Sequence, residues 1–108
     1  MAHDVQKGLA VIQQQLKELD GIFSDAIETL NMAAGTERVA KWRVRTAALL
    51  TSSLGEKAGQ DFARIEPGPS FTNDLVEEFT DLVDTFRSPL NELLKQLTQA
   101  GRSPAAGG

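Results

Sequence analysis

A short basic segment, residues 38–45, surrounds the only tryptophan in the sequence and is the strongest candidate for chemistry. On a helix, Arg38, Lys41 and Arg45 share one face, and Trp42 lies at the border of that face. Arginine side chains bind phosphate oxygens in a forked geometry, and an indole ring can stack on a base. This pattern predicts a site for a phosphate-bearing or nucleotide-like small ligand at Arg38, Lys41, Trp42 and Arg45.

The same basic segment also has a purely structural interpretation. The segments before and after it are acidic: Asp20, Asp25 and Glu28 precede it, and Glu77, Glu78, Asp81 and Asp84 follow it. A basic helix between two acidic helices would orient a bundle by charge complementarity. Trp42 would then be a core residue whose indole N–H needs a buried acceptor. The spacing alone leaves both interpretations open.

The other reactive residue types do not form a recognisable site. The sequence has no cysteine, and its one histidine, His3, has no second histidine or cysteine with which to bind a metal. Glu77 and Asp81 share a helix face, which is more typical of a solvated surface than of a cation site. The serine and threonine hydroxyls have no histidine base nearby and no glycine-flanked elbow. We therefore expect no metal, no cofactor and no enzymatic activity.

Length and composition limit the class of protein. A chain of 108 residues with 41% hydrophobic and 24% charged residues is typical of one globular domain. The net charge of −4 disfavours nucleic acid as the main partner. The sequence contains neither a secretion signal nor an apolar run long enough to span a membrane, so we expect a cytoplasmic protein.

Apolar residues in the first third of the chain repeat with gaps of four and three. They are Val5, Leu9, Ile12, Leu16, Leu19, Phe23, Ala26 and Leu30. This heptad spacing predicts a long helix with a narrow buried stripe. We expect the helix to begin after an N-cap at Asp4 and to run to about Ala34, where Gly35 would end it.

The middle of the chain predicts two shorter helices. Thr36 would cap a second helix that ends at Leu54 and Gly55. A third helix would span residues 56–65 and bury Ala58, Phe62 and Ile65. The Pro-Gly-Pro sequence at 67–69 then predicts a loop that reverses the chain.

The last predicted helix starts near Thr72 or Asn73 and carries an apolar stripe from Leu75 to Leu97. Pro89 interrupts its hydrogen bonding, so the helix either kinks there or breaks and starts again at Ser88. Because the stripe continues on one face, we expect a single kinked helix.

These elements predict an all-α fold. We expect an antiparallel bundle of four helices over residues 1–100, in which the first and last helices are long and the two middle helices are shorter. Residues 101–108 are rich in glycine, alanine, serine and proline, so we expect a disordered tail or the beginning of a linker.

Several residues from Trp42 onward carry a resemblance to a known class of domain. They are Trp42, Arg45, Thr46, Leu50, Leu54, Gly55, Phe62, Pro69 and Ser70, followed by the acidic last helix. In this pattern the chain resembles a small all-helical domain at the front of bacterial multidomain proteins. Such domains often precede Toll/interleukin-receptor-like or other nucleotide-related effector domains. The resemblance implies an accessory domain, with a possible role in phage defence and without catalytic residues of its own.

The narrow first half of the heptad stripe predicts a protein-binding surface. Val5, Leu9, Ile12 and Leu16 extend past the widest part of the expected core, where a second helix could cover them. We therefore expect a helical protein-interaction or oligomerisation module that binds protein partners, including a second copy of itself. The alternative function is a small-ligand sensor that uses the basic face around Trp42.

Overall fold

The computed structural model describes residues 5–68 and 73–107, with side chains as far as Gln99. It contains four helices, α1 (Val5–Thr29), α2 (Met32–Leu54), α3 (Glu56–Ala63) and α4 (Leu75–Gly107), and no strand within the described ranges. The prediction of an all-α bundle with long first and last helices is confirmed. Asp4, Pro69, Ser70 and Thr72, for which the sequence made predictions, lie outside the described residues, as does His3.

The helices α1, α2 and α4 form the body of the bundle, and α3 packs on α2. Contacts between α1 and α4 show that these two helices are antiparallel. The rings of Phe23 and Phe79 stack with centroids 5.9 Å apart. Farther along, Asp20 accepts a hydrogen bond from Arg87 at 2.5 Å.

The turn between α1 and α2 comes earlier than the sequence predicted. Leu30 adopts a left-handed backbone conformation with φ of 57°, which ends α1 after Thr29. The Asn31 N–H then donates to the Ala26 carbonyl at 3.1 Å, and the Asn31 side chain accepts the Ala34 N–H at 3.0 Å. Asn31 is therefore the N-cap of α2.

The predicted end of α1 at Ala34 and Gly35 and the predicted cap at Thr36 were therefore wrong. Gly35 lies inside α2 and is buried. A Cβ atom there would lie 2.8 Å from the Ala26 Cβ and 2.8 Å from the Phe79 ring. The glycine permits close packing of three helices, and this requirement, not a helix stop, explains its position.

The stop between α2 and α3 at Gly55 is confirmed. Gly55 has a φ of 106° and its N–H donates to the Thr51 carbonyl at 3.0 Å. The next helix, α3, ends at Ala63 instead of Ile65. Arg43 of α2 donates to the carbonyl oxygens of both Ala63 and Ile65, and so satisfies acceptors at the end of α3.

The last helix starts at Leu75, where the Asp74 side chain accepts the N–H groups of Val76 and Glu77 at 2.9 and 3.3 Å. It is continuous through Pro89, so the alternative of a break at Ser88 does not hold. The expected kink of the helix at Pro89 stays a prediction.

The helix α4 is described as far as Gly107, beyond the predicted end of the bundle at residue 100. Continued packing explains why the helix passes Pro89, since Leu93, Leu94 and Leu97 all contact the core. The division into a bundle at 1–100 and a tail or linker at 101–108 stays a prediction.

All four helices contribute to one core, which is centred on aromatic rings. Trp42 makes edge contacts with Phe62 and Phe86, at centroid distances of 5.7 and 6.2 Å. The fully or almost fully buried apolar residues are Ile12, Leu19, Ile22, Ala26, Val39, Trp42, Leu50, Phe62, Phe79, Val83, Phe86 and Leu90.

The buried stripe of α1 differs from the predicted one by a rotation of the helix. It consists of Gly8, Ile12, Gln15, Leu19, Ile22 and Ala26. Leu9, Leu16 and Phe23, which were predicted to belong to it, are only half-buried. Leu30 is 75% exposed, so its assignment to the buried stripe was wrong.

The different surroundings of Gly59 and Gly21 predict opposite effects of glycine-to-alanine substitution on stability. In Gly59→Ala the new Cβ would lie 2.9 Å from the Ala47 carbonyl oxygen and would also meet the Thr51 side chain. We expect the free energy of unfolding to fall by about 1–3 kcal/mol. Gly21 of α1 has open space around its Cβ position. Alanine has the higher helix propensity, so Gly21→Ala should raise the free energy of unfolding by up to about 1 kcal/mol. Urea unfolding measures both, and a stabilising Gly59→Ala would contradict the packing of α3 on α2.

Candidate functional site

A buried polar network lies beneath the basic segment of α2. The Trp42 indole N–H donates to the backbone carbonyl of Gln15 at 3.0 Å, and the Thr46 hydroxyl donates to the Gln15 side-chain oxygen at 2.7 Å. The Gln15 amide in turn donates to Glu18 at 3.4 Å. We call Gln15, Trp42 and Thr46 the buried network. All three are buried, so the Trp42 ring is not at the surface and cannot stack on a ligand in this conformation.

The basic side chains of the predicted ligand site lie at the surface and face acidic groups. Two of their ion pairs join α2 to α1, which is the charge complementarity that the sequence predicted for these two helices. The third pair lies within α2. The pairs are Arg38–Asp25 at 3.1 Å, Arg45–Glu18 at 2.9 Å and Lys41–Glu37 at 3.9 Å.

A groove between α1 and α2 brings together three of the four residues predicted to bind a ligand. Its volume is about 430 Å³, and it is lined by Glu18, Gly21, Ile22, Asp25, Arg38, Lys41 and Arg45. Trp42 is absent from this lining. Because Glu18 and Asp25 already bind two of the cations, a phosphate in the groove would have to displace a carboxylate or bind beside Lys41.

Glu18 is the acidic group of this groove whose protonation is perturbed. Burial alone would raise the pKa of Glu18, but hydrogen bonds from Arg45, Gln14 and Gln15 and the positive charge of Arg45 act against it. The net effect holds the pKa of Glu18 below its ordinary value. Glu18 therefore stays ionised and paired with Arg45 at neutral pH.

The predicted partner interface is divided between core and surface. Ile12 is 0% exposed and belongs to the core of the single chain. Val5, Leu9 and Leu16 are half-buried. Only the outer parts of these three side chains remain for a partner on this face.

A second apolar surface lies at the end of the bundle where α1 ends and α2 and α4 begin. There Leu30 is 75% exposed, Leu75 is 65% exposed and Val76 is 39% exposed. Phe79 of α4 stacks on Phe23 of α1 and lies next to Gly35 of α2, so these three helix ends lie together. We call Leu30, Leu75 and Val76 the apolar end.

The sequence pattern did not indicate the apolar end, because Leu30 and Leu75 continue the apolar stripes that were predicted to be buried. One local signal could have identified Leu30. An apolar residue directly before an N-cap normally packs on the fourth residue of the helix that follows. With Asn31 as the N-cap, that fourth residue is Gly35, which has no side chain to offer. Leu30 therefore has no local packing partner.

An apolar groove of about 320 Å³ also lies between α3 and α4. Phe62, Ile65, Pro89 and Leu93 are among the side chains that line it. This groove is an alternative surface for a partner. The positions of shifted amides in ¹⁵N–¹H spectra distinguish it from the apolar end.

Within residues 5–68 and 73–107, no group of three or more histidine, cysteine, aspartate or glutamate side chains is arranged to hold a metal ion. No helix in that part of the chain has the length and apolar character needed to cross a membrane.

Comparisons with known proteins give no relatives. The chain matches no protein-family model, no curated protein and no solved structure. The resemblance to a bacterial accessory domain therefore stays a prediction.

The buried network predicts non-additive effects on stability. Thr46→Val removes the hydroxyl that donates to the Gln15 side chain, which leaves a buried acceptor unpaired, so we expect a loss of about 1–3 kcal/mol. The double variant Gln15→Leu/Thr46→Val removes both polar groups and should lose less than the sum of the two single variants. Urea unfolding of the four proteins measures the coupling. Additive losses would contradict a direct bond between these side chains.

Glu18 predicts a pH dependence of stability. Because its pKa is lowered in the folded state, its contribution is complete above the ordinary glutamate value of about 4.5 and is lost as the pH falls through the lower folded-state value. Glu18→Gln should therefore show a smaller loss of stability than wild type as the pH falls below that ordinary value. The difference should be at most about 1 kcal/mol, because the pair is partly exposed. Glu92→Gln, at an exposed position of α4, serves as the control and should behave as wild type.

Proposed function

We propose that the chain is a non-catalytic protein-interaction module that binds a segment of a polypeptide at its apolar end. The observation that carries this proposal is the exposure of Leu30 and Leu75 at one end of an otherwise well-packed bundle. Single exposed leucines are common on protein surfaces, whereas several exposed apolar side chains at one end of a small domain favour a binding role.

The fold itself does not need these side chains. The core is complete beneath them, since Ala26 and Phe79 are 3% and 2% exposed. The α1–α2 turn is closed by its own hydrogen bonds, from the Asn31 N–H to the Ala26 carbonyl and from the Ala34 N–H to the Asn31 side chain. Covering the apolar end with a partner would remove apolar area from water and would not require the bundle to rearrange.

The binding role is consistent with the accessory domain that the resemblance implies. In such a domain the bundle would bind a second copy or another protein, and a further domain would supply the activity.

Selection from a random peptide library displayed on phage tests the proposal. Wild type should enrich peptides whose binding is lost in Leu30→Ser/Leu75→Ser. The double variant should unfold at a urea concentration close to wild type, because both side chains are exposed. Val44→Ser is the matched control, since Val44 is 70% exposed elsewhere on α2, and it should retain binding.

Two results would contradict the proposal. The first is that wild type enriches no peptide while remaining folded. The second is that enriched peptides bind the double variant as well as they bind wild type. Light scattering over a range of concentrations shows separately whether a second copy is the partner, since self-association would raise the mass of wild type and not that of the double variant.

Ligand binding at the groove is the second candidate function. It is favoured by the convergence of Arg38, Lys41 and Arg45 on one groove, and opposed by the ion pairs that Arg38 and Arg45 make with Asp25 and Glu18. Calorimetric titration with ATP and with inorganic phosphate distinguishes the two functions. Saturable binding of either compound that Lys41→Glu abolishes would favour the ligand sensor.

A further inference from the structure

We propose that the partner segment bound at the apolar end is basic and amphipathic, and that Leu30 is the main contact. This inference rests on the proposed function and specifies the chemistry of the partner. Three features of the described residues carry it: the backbone conformation of Leu30, the high exposure of its side chain, and the charges around it.

The backbone of Leu30 is in a conformation that leucine disfavours. At φ of 57° the Cβ atom crowds the following carbonyl, and glycine or asparagine is the usual residue in such turns. The hydrogen bonds that hold the turn come from backbone groups and from the Asn31 side chain, so they do not require leucine at position 30.

The Leu30 side chain does not belong to the hydrophobic core, so core packing does not offset that strain. It is 75% exposed, and the position on α2 against which it would normally pack is Gly35. A leucine that is strained, exposed and dispensable for the turn is best explained by a contact outside the chain.

The net charge around the apolar end is negative, because the first two cations of α2, Arg38 and Lys41, are each paired with a carboxylate, Asp25 and Glu37. Residues 26–37 and 73–80 contain no lysine and no arginine, and they carry Glu28, Glu37, Asp74, Glu77 and Glu78. Such a surface attracts a positively charged partner.

Folding explains only some of these carboxylates. Asp74, Glu77 and Glu78 stabilise the first turn of α4 through its dipole, and Glu37 pairs with Lys41. Glu28, however, lies near the negative end of the α1 dipole, and the last turn of α1 has no basic residue. Like Leu30, Glu28 is unfavourable for the isolated fold.

The same charges decide between the possible occupants. Two copies of the chain that met through their apolar ends would bring carboxylates against carboxylates, which disfavours self-association there. A partner segment that carries leucine-like side chains for Leu30, Leu75 and Val76, with lysine or arginine between them, satisfies both the apolar and the acidic groups.

Two designed peptides test the chemistry of the partner. Each is 18 residues long with leucine at helical spacing, and the remaining positions are mainly lysine in one peptide and glutamate in the other. Fluorescence anisotropy should give at least tenfold tighter binding for the lysine peptide. In ¹⁵N–¹H spectra, the shifted amides should lie around Leu30 and Leu75 and not along the groove between α3 and α4.

The variant Leu30→Gly separates a binding role from a structural role. Glycine relieves the strained backbone, so the midpoint of urea unfolding should stay the same or rise, while affinity for the lysine peptide should fall at least fivefold. Val44→Ser should leave that affinity unchanged. The proposal is overturned if Leu30→Gly keeps the affinity, if it destabilises the protein, or if both peptides bind equally.

The phage selection distinguishes failure of this inference from failure of the proposed function. If the selected peptides lose binding in Leu30→Ser/Leu75→Ser but are neutral or acidic, the inference about charge is wrong and the interaction module stands. If wild type selects no peptides, both fail.

Discussion

The hydrogen bond from the Trp42 indole to the Gln15 carbonyl is the contact on which the arrangement of the bundle depends. A buried indole N–H without an acceptor would cost about 1–3 kcal/mol of folding free energy. Trp42, the largest core side chain, is therefore stable only where an acceptor lies within reach of its N–H. Gln15 provides that acceptor near the middle of α1. The bond between Thr46 and the Gln15 side chain repeats the constraint one helical turn along α2. Together these bonds fix how far α1 slides and rotates against α2.

The rest of the structure follows from that register. The ion pairs Arg45–Glu18 and Arg38–Asp25 occur successively along the same interface. Farther on, Ala26 reaches Gly35 at a distance that excludes any side chain on the glycine. Because α1 and α2 approach so closely there, the connection between them must be short, and Leu30 and Asn31 form it.

The sequence was a good guide where apolar spacing and glycine conformation decide the structure. It predicted four helices, the stop at Gly55 and the burial of Phe62, and the structure confirms all three. It was a poor guide where a polar residue lies in a buried stripe. The predicted stripe contains only apolar residues and so does not include Gln15, whose partners on α2 turn it inward.

The candidate ligand site shows the same difference between features that local spacing decides and features that depend on distant residues. The helical period correctly placed Arg38, Lys41 and Arg45 on one face, since that depends only on spacing. The direction of Trp42 depends on Gln15, a residue 27 positions away along the chain, which no local pattern reveals. For the turn, Gly35 was the predicted helix stop, but its contact with Phe79 requires that glycine inside α2, and Asn31, which the prediction did not consider, caps the helix instead.

The buried network and the apolar end are linked through rigidity. A binding surface loses affinity when its side chains must be ordered on binding. Here the residues on both sides of Leu30 are held by hydrogen bonds, and the helices that carry them are fixed by the network in the core. The chain thus holds an exposed leucine in a defined position before any partner arrives. A flexible loop with the same residues would present the same chemistry at a greater entropic cost, so the well-packed core is itself part of the case for a binding role.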